Sequence, residues 1–333
     1  MLPMTAQRNE PVLIWERVMP DDPSIPWLRE QGFDVRLGKP NRDPDYRRHL
    51  EADFIADAQG CQGVLISGGI RVTREVMAAL PGLQVISKIG VGVDTVDVAA
   101  ASDLGIAVCN TPGGNDSVAV AEHAMTLLLA LRKQLHVWTR GYLQGGGWRS
   151  PRVFAGGLDG STLGIVGFGR IGRALAQRVA GWNVRVLVHD PLARDLPEGV
   201  RAVDMAELLA QSDAVSLHCP ALPGDRPLLD AAALARLKPG AVLINTARAT
   251  LVDAPALIAA LDAGTLAGAA FDVFDPEPPA RNDPLLAHPR VLSTPHVASW
   301  TWEGFFGRRQ QAADNLAKVV RGEAGAAIVN ATP

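Results

Sequence analysis

Cysteine is scarce in these 333 residues, basic charge is not in surplus, and no long uncharged apolar run is present. Cys61, Cys109 and Cys219 are odd in number, widely spaced and set in apolar runs, which argues against a disulfide frame and for reduced structural thiols. A cytoplasmic location is the expectation. No Cys/His grouping has zinc-like spacing, so no metal is expected. Lys and Arg number 32 against 35 Asp and Glu, a formal charge of −3, and no basic stripe exists to track a phosphate backbone. No nucleic-acid partner is expected. No apolar segment approaches the length of a bilayer span, and the N-terminus lacks the basic, apolar and small-residue succession of a signal peptide, so no membrane partner is expected either. Internal repeats and low-complexity tracts are also missing.

What is present is an alternation. Short β-branched or aliphatic runs, such as "VLIW", "GVLIS", "LQVIS", "TLGIVG", "VRVLVHD", "AVSLHCP", "AVLINTA" and "LAGAAFDVF", are separated by longer Ala- and Leu-rich stretches. Continuous apolar strands between helices are those of a parallel sheet covered on both faces. The fold class is α/β, and the length favours two Rossmann-like, doubly wound parallel-sheet domains. Two helical stretches, Ser117 to Tyr142 and one running from about Thr301 to Glu323, are candidate crossings between lobes. Residues 1–109 and 301–333 are then expected to form one domain and residues 110–300 an inserted second one.

The clearest motif is "TLGIVGFGRIGRALAQRV", in which Gly167, Gly169 and Gly172 form G-x-G-x-x-G between a strand and an amphipathic helix. The first glycine allows the tight turn, the second lets backbone approach a pyrophosphate, and the third packs helix on strand. Phosphates would sit at the helix N-terminus. Asp190, at the end of the next strand, can accept hydrogen bonds from ribose hydroxyls and repels a 2′-phosphate, so NAD is the expected cofactor. Arg194, close by, is the one residue that speaks for NADP.

Open α/β sheets bind ligands outside the carboxyl ends of their strands. Arg248 follows "AVLINTA", Asp272, Asp275 and Glu277 follow "LAGAAF", and His296 follows "RVLSTP". Reduction of a 2-keto acid needs a planar cation to hold the carboxylate and polarise the ketone, which suits Arg248. It also needs a proton donor titrating near neutrality, which suits His296, and a carboxylate such as Glu277 would favour the imidazolium. Hydride transfer belongs to the nicotinamide. In "SKIGVGVDTVD", the N–H groups of Gly90, Val91 and Gly92 can form a nest for a carboxylate. His123 reads as structural, since its neighbour Glu122 points elsewhere on a helix. His189 and His218 read as neighbours of the cofactor. Trp300 and Trp302 read as pocket wall or hinge packing.

Taken in order, "KIGVGVDTVD", "GIAVCNTPGGNDSVAVAEHAM", "LGIVGFGRIGR", "VHDP", "VSLHCP", "LKPGAVLINTAR", "FDVFDPEP" and "TPHVAS" resemble the D-isomer-specific 2-hydroxyacid dehydrogenases over most of the chain. The resemblance implies a substrate lobe built from both chain ends around a contiguous NAD lobe, with a cleft between them. It implies a catalytic set of Arg248, Glu277 and His296, and substrate contacts at Lys88, Val91, Gly92, Arg248 and His296. Implied cofactor contacts are Val120, Gly167, Phe168, Gly169, Arg170, Ile171, Gly172, Asp190, Cys219, Pro220, Thr246, Ala247, Arg248, Asp272, His296 and Ser299, with Asp272 on the carboxamide. A homodimer through the NAD lobe is the family habit.

Two departures stand out. Ala249 and Thr250 follow Arg248 where the family usually has Gly and then Gly or Glu, which strains Ala249 if the turn needs positive φ. Leu222 and Asp225 replace the family's usual wording in "PALPGDRPLL". Phosphoglycerate-type members place arginine where this chain has Ser67 and Lys88, leaving Lys88, with Arg71 nearby in sequence, as the cations available. The sequence ends soon after the last helix, and a regulatory domain of the kind some phosphoglycerate members carry is not expected. The expectation is therefore a reductase of hydroxypyruvate or glyoxylate, with phosphoglycerate-type activity or an NAD-sensing corepressor or scaffold as alternatives. Formate dehydrogenase chemistry is disfavoured by Glu277, since that enzyme usually pairs its His with Gln.

Overall fold

The structure is a computed structural model that describes residues 10–43, 50–112, 116–148, 155–221, 224 and 226–331. Leu222 and Asp225 lie outside the described residues. The chain forms two compact units, Met1–Asn115 with Thr301–Pro333, and Asp116–Trp300. Residues 110–112 fall with the first unit rather than with the insertion. They are bonded into it, because Asn110 receives the Asn315 side-chain amide on its carbonyl at 2.9 Å and Thr111 Oγ1 accepts from the Gly90 N–H at 2.8 Å.

In the first unit, β1 (Glu10–Ile14), β2 (Phe33–Leu37), β3 (Gly63–Ile66), β4 (Val85–Lys88) and β5 (Ala107–Cys109) form a parallel sheet in the order β2-β1-β3-β4-β5. Both faces are buried, as the uninterrupted apolar runs require. One face packs Trp15, Phe54, Ile66, Val76, Met77 and Ala100. The other receives Ala312, Ala313, Leu316 and Ala317 from the helix Trp302–Arg321. That helix starts where Thr301 caps the Gly304 N–H and stops at Gly322, whose φ of 68° lies in the left-handed region that a glycine adopts without strain.

The second unit holds β6 (Thr162–Val166), β7 (Arg185–His189), β8 (Val200–Ala202), β9 (Ala214–Leu217), β10 (Ala241–Asn245), β11 (Leu266–Phe271) and β12 (Val291–Ser293). All pair in parallel, in the order β12-β11-β10-β9-β6-β7-β8. The order reverses between β6 and β9, which is where a ligand crevice opens at the carboxyl edge. β8 carries no apolar signal in the sequence, because it is three partly exposed residues paired on one side only.

The expected helix from Ser117 to Tyr142 is two pieces. Asp116–Arg132 is α-helical, Gln134 turns left-handed at φ 51°, and a π-helical stretch, Val137–Leu143, follows. The break falls at the polar Arg132, Lys133 and Gln134, and because apolar residues resume at Leu135, Val137 and Trp138 the pattern alone gives no sign of it. All three cysteines are free, as their spacing suggested. Among the described residues no helix is long and apolar enough to cross a membrane.

Candidate active site

β10 is buried along its whole length and ends at Asn245, and this residue answers how an apolar strand delivers a guanidinium. Asn245 Oδ1 accepts the Ala247 N–H at 3.0 Å, while its Nδ2 donates to the Arg248 carbonyl at 2.8 Å. This side-chain brace mimics a backbone turn and fixes the three residues beyond the strand. Arg248 leaves the brace extended, at φ −142° and ψ 138°, half-buried and with Nη1 donating to the Ala247 carbonyl at 2.8 Å. Ala249 then opens a short 3₁₀ turn, Ala249–Leu251, and is not among the residues of positive φ. The strain foreseen at Ala249 does not arise.

The next strand supplies Asp272, which is buried at 1% exposure and accepts from three donors over its two oxygens. Its Oδ1 takes the Thr294 hydroxyl at 2.6 Å and the Val297 N–H at 2.9 Å, and its Oδ2 takes the Ala298 N–H at 2.8 Å. His123 Nε2 stands 3.0 Å from Thr294 Oγ1 and 3.7 Å from Asp272 Oδ1. Since the Thr294 hydroxyl donates to Asp272, His123 donates to Thr294. The carboxylate thus holds the turn after β12 from both sides of His296, whose φ of 54° is left-handed and costly for a side chain with a Cβ. Asp272 organises the His296 turn, a role beyond the cofactor contact expected of it and one that sequence reasoning did not find.

His296 Nδ1 meets Glu277 Oε2 at 2.7 Å. A carboxylate only accepts, so Nδ1 carries the proton and Nε2 is the nitrogen left to exchange one with a ligand. Glu277 is itself fixed by the Phe274 N–H, which donates to Oε1 at 2.9 Å. The hydrogen bond from Glu277 raises the His296 pKa above its ordinary value, outweighing the downward pull of burial and of Arg248. Burial pushes Glu277 upward, but the His296 bond, the Phe274 N–H and Arg248 prevail and its carboxyl lies below the usual range. The His296 side chain remains 54% exposed, so this pair is discounted as a source of stability and reads as an acid–base device.

At the reversal between β6 and β9, the glycine loop fits a dinucleotide. Gly167 has φ 90°, and a Cβ there would stand 2.6 Å from the Cys219 nitrogen at the end of β9. A Cβ at Gly172 would lie 2.3 Å from the Gly167 carbonyl oxygen, which is the close helix-to-strand packing expected of the third glycine. At Gly169 a Cβ meets no protein atom within 4 Å, so nothing in the protein requires glycine there and the approach of a ligand does. Arg170 and Ile171 begin the helix Arg170–Val179. Asp190 accepts the Phe168 N–H on Oδ2 at 2.7 Å and the Leu192 N–H on Oδ1 at 2.8 Å, so it caps its own turn while tying β7 to the loop. Thr246 Oγ1, just past β10, is buried without a hydrogen-bond partner among the described residues, an orphan that a cofactor can satisfy. Cys219, Ala247 and Ser299 are half-buried, Pro220 is exposed, and Val120 is buried on the helix Asp116–Arg132. The residues present therefore fit NAD.

His189 bonds the Val203 carbonyl through Nδ1 at 3.1 Å. His218 is pushed down to about 4 by burial and pairs with Ser216 Oγ at 2.8 Å, so it is neutral and structural. In the first unit, the loop after β4 is pinned by Thr111 on the Gly90 N–H and by Asn110 Nδ2 on the Val91 carbonyl at 2.8 Å. Val91 is exposed, Gly92 is half-exposed, Arg71 is exposed, and Lys88 is buried with its ammonium donating to the Ser67 carbonyl. Trp300 and Trp302 are both exposed, and Trp302 stacks on Phe306. Among the described residues there is no cluster of three or more His, Cys, Asp or Glu that could hold a metal.

A strand-edge Arg, a His–Glu pair and a dinucleotide loop on one parallel sheet define a nicotinamide-type dehydrogenase architecture. The chain belongs to the D-isomer-specific 2-hydroxyacid dehydrogenase family: residues 125–298 match the model described as "D-isomer specific 2-hydroxyacid dehydrogenase, NAD binding domain". It is 36% identical to D-3-phosphoglycerate dehydrogenase of Sus scrofa over 284 residues, which are 84% of this chain and 52% of that protein. The chain thus spans about half the length of the curated relatives it matches. Among solved structures, a Thermus thermophilus protein is 36% identical with a TM-score of 0.85, over 96% of this chain and 99% of that one. A glyoxylate reductase from Paecilomyes thermophila is 27% identical with a TM-score of 0.83, over 97% and 98% of the two chains.

Because the Glu277 bond is the main cause of the raised His296 pKa, proton donation that draws on the imidazolium is fully available below that pKa and is lost as pH rises through it. Glu277→Gln is expected to move the alkaline limb of the kcat/KM profile to lower pH. An unmoved limb in a folded variant would remove Glu277 from the acid–base pair.

Proposed function

We propose that this protein is an NAD-dependent D-2-hydroxyacid dehydrogenase working as a 2-keto acid reductase, with hydroxypyruvate or glyoxylate as the favoured substrate. The observation that carries the reading is the 2.7 Å contact from His296 Nδ1 to Glu277, beside Arg248 on the same sheet edge. Bound NADH supplies the hydride that reaches the keto carbon. Arg248 holds the carboxylate through its planar fork and polarises the ketone. Main-chain N–H groups at Val91 and Gly92 are assigned as further donors to the carboxylate. His296 keeps a proton on Nε2 and passes it to the developing alkoxide, and Glu277 stabilises the imidazolium and holds the ring in orientation. In the reverse direction neutral His296 takes the hydroxyl proton. Asp190 favours NAD by repelling a 2′-phosphate.

A second reading, phosphoglycerate-type activity, is favoured by the names of the curated relatives. Loss of NADH absorbance over a panel of glyoxylate, hydroxypyruvate, pyruvate, phosphohydroxypyruvate and branched 2-keto acids, with NADPH in parallel, separates the two. Hydroxypyruvate or glyoxylate with NADH is expected to lead, and His296→Ala is expected to lose about 10²- to 10⁴-fold in kcat while still binding NADH. Full turnover by that variant would sink the assignment of His296. Silence of the wild type across the panel, with NADH bound, would favour a scaffold or corepressor.

The assembly proposed is a homodimer through the NAD-binding unit, with no nucleic-acid partner, in the reducing cytoplasm that three free cysteines suit. Leu135, Leu143 and Trp148 in that unit are 52%, 55% and 76% exposed, and a dimer would cover such apolar side chains. Sedimentation at micromolar concentration is expected to give twice the chain mass; a monomer would contradict it.

A further inference from the structure

The helix Asp116–Arg132 lies against the sheet of the NAD-binding unit, where its Ala121, Ala124, Leu127 and Leu128 pack with Ile244 of β10 and Ala270 of β11. Two neighbouring polar residues leave that helix in different directions. Glu122 goes to the helix Arg170–Val179, where its Oε1 pairs with Arg178 Nη2 at 2.9 Å. His123 goes to the strand ends, and its Nε2 donates to the Thr294 hydroxyl oxygen at 3.0 Å. If packing were its whole purpose, leucine would do as well in a helix and better against an apolar face.

The bond matters through what Thr294 does next. A hydroxyl has one proton and two acceptor sites, and it rotates to suit its partners. Thr294 spends its proton on Asp272 Oδ1 at 2.6 Å, and His123 fills an acceptor site on the same oxygen. With that site filled, the hydroxyl is held in the rotamer that points at the carboxylate. Asp272 then keeps all three donors, the Thr294 hydroxyl before His296 and the Val297 and Ala298 N–H groups after it. Without His123 the hydroxyl is free to turn away, and a buried carboxylate holds the turn from one side only. Thr294 is the one hydrogen-bond partner of the His123 ring among the described residues, so the neutral ring carries its proton on Nε2.

We propose that His123 is a positioning residue for the reaction: by donating to Thr294 it fixes the hydroxyl proton on Asp272 and so holds His296 in the left-handed turn from which it meets Glu277. His123 acts only through Thr294 and Asp272. The proposal rests on the reductase reading above, and it extends the machinery from the strand ends to a helix.

The test compares wild type with His123→Leu, which keeps the bulk and removes the donor, and His123→Gln, whose amide nitrogen stands as many bonds from the backbone as Nε2. For each, kcat and KM are measured with NADH and the best 2-keto acid of the panel, NADH affinity is measured by fluorescence, and His296 is titrated by NMR. His123→Leu is expected to lose about tenfold in kcat, the scale of one hydrogen bond to a charged network, with KM and NADH affinity within about twofold. Its His296 pKa is expected to fall, and His123→Gln to recover both kcat and the pKa. Wild-type kcat and His296 titration in a folded His123→Leu, a loss confined to NADH affinity, or a Gln variant as impaired as the Leu variant would each overturn the proposal. If wild type turns over none of the acids, the reductase reading fails, while the His296 titrations still decide for or against His123. If His123→Leu does not fold, the wild-type ring nitrogen signals decide: a neutral His123 protonated at Nε2 supports the proposal, and one protonated at Nδ1 overturns it.

Discussion

The carboxylate of Asp272 is the constraint on which the rest of the candidate site depends. Placed at the end of a buried strand, it gathers the Thr294 hydroxyl and two backbone N–H groups, and these bonds offset the cost of a left-handed His296. Only with the backbone so turned does the imidazole present Nδ1 to Glu277. The tautomer of His296 and its raised pKa follow from that orientation. The neighbouring strand solves a like problem with Asn245, which bends the chain so that Arg248 leaves the sheet edge extended.

The two sheets share a rule and differ in chemistry. Both are parallel, and both put charged residues at their carboxyl edges, near the point where strand order reverses. In the NAD-binding unit that edge is assembled for proton and nucleotide chemistry, with glycines at the close approaches and an orphan Thr246 hydroxyl. In the other unit it holds a buried ion-paired cluster, in which Arg309 meets Glu16 and Asp22.

Much of this was legible in the sequence because parallel strands buried on both faces read as continuous apolar runs, and because glycines forced by close approach have fixed spacing. Arg248, Glu277 and His296 stood at strand ends, where ligand chemistry belongs. What escaped was carried by few residues or by long-range partners. The edge strand at Val200–Ala202 has no apolar alternation, and the break at Gln134 depends on one left-handed residue in a polar stretch that a helix would equally accommodate. The bracing roles of Asn245 and Asp272 leave only a faint trace, a polar residue closing an apolar strand. Glu16 and Arg309 lie far apart in the numbering and meet only through the fold.

The central claim is that Glu277 keeps His296 protonated above the ordinary imidazole range. Titrating His296 by NMR of its ring carbon and nitrogen signals tests it most directly. A pKa above 6.5 is expected, with the Nδ1 proton retained in the neutral form. A pKa at or below 6.5, or a neutral ring protonated at Nε2, would contradict it.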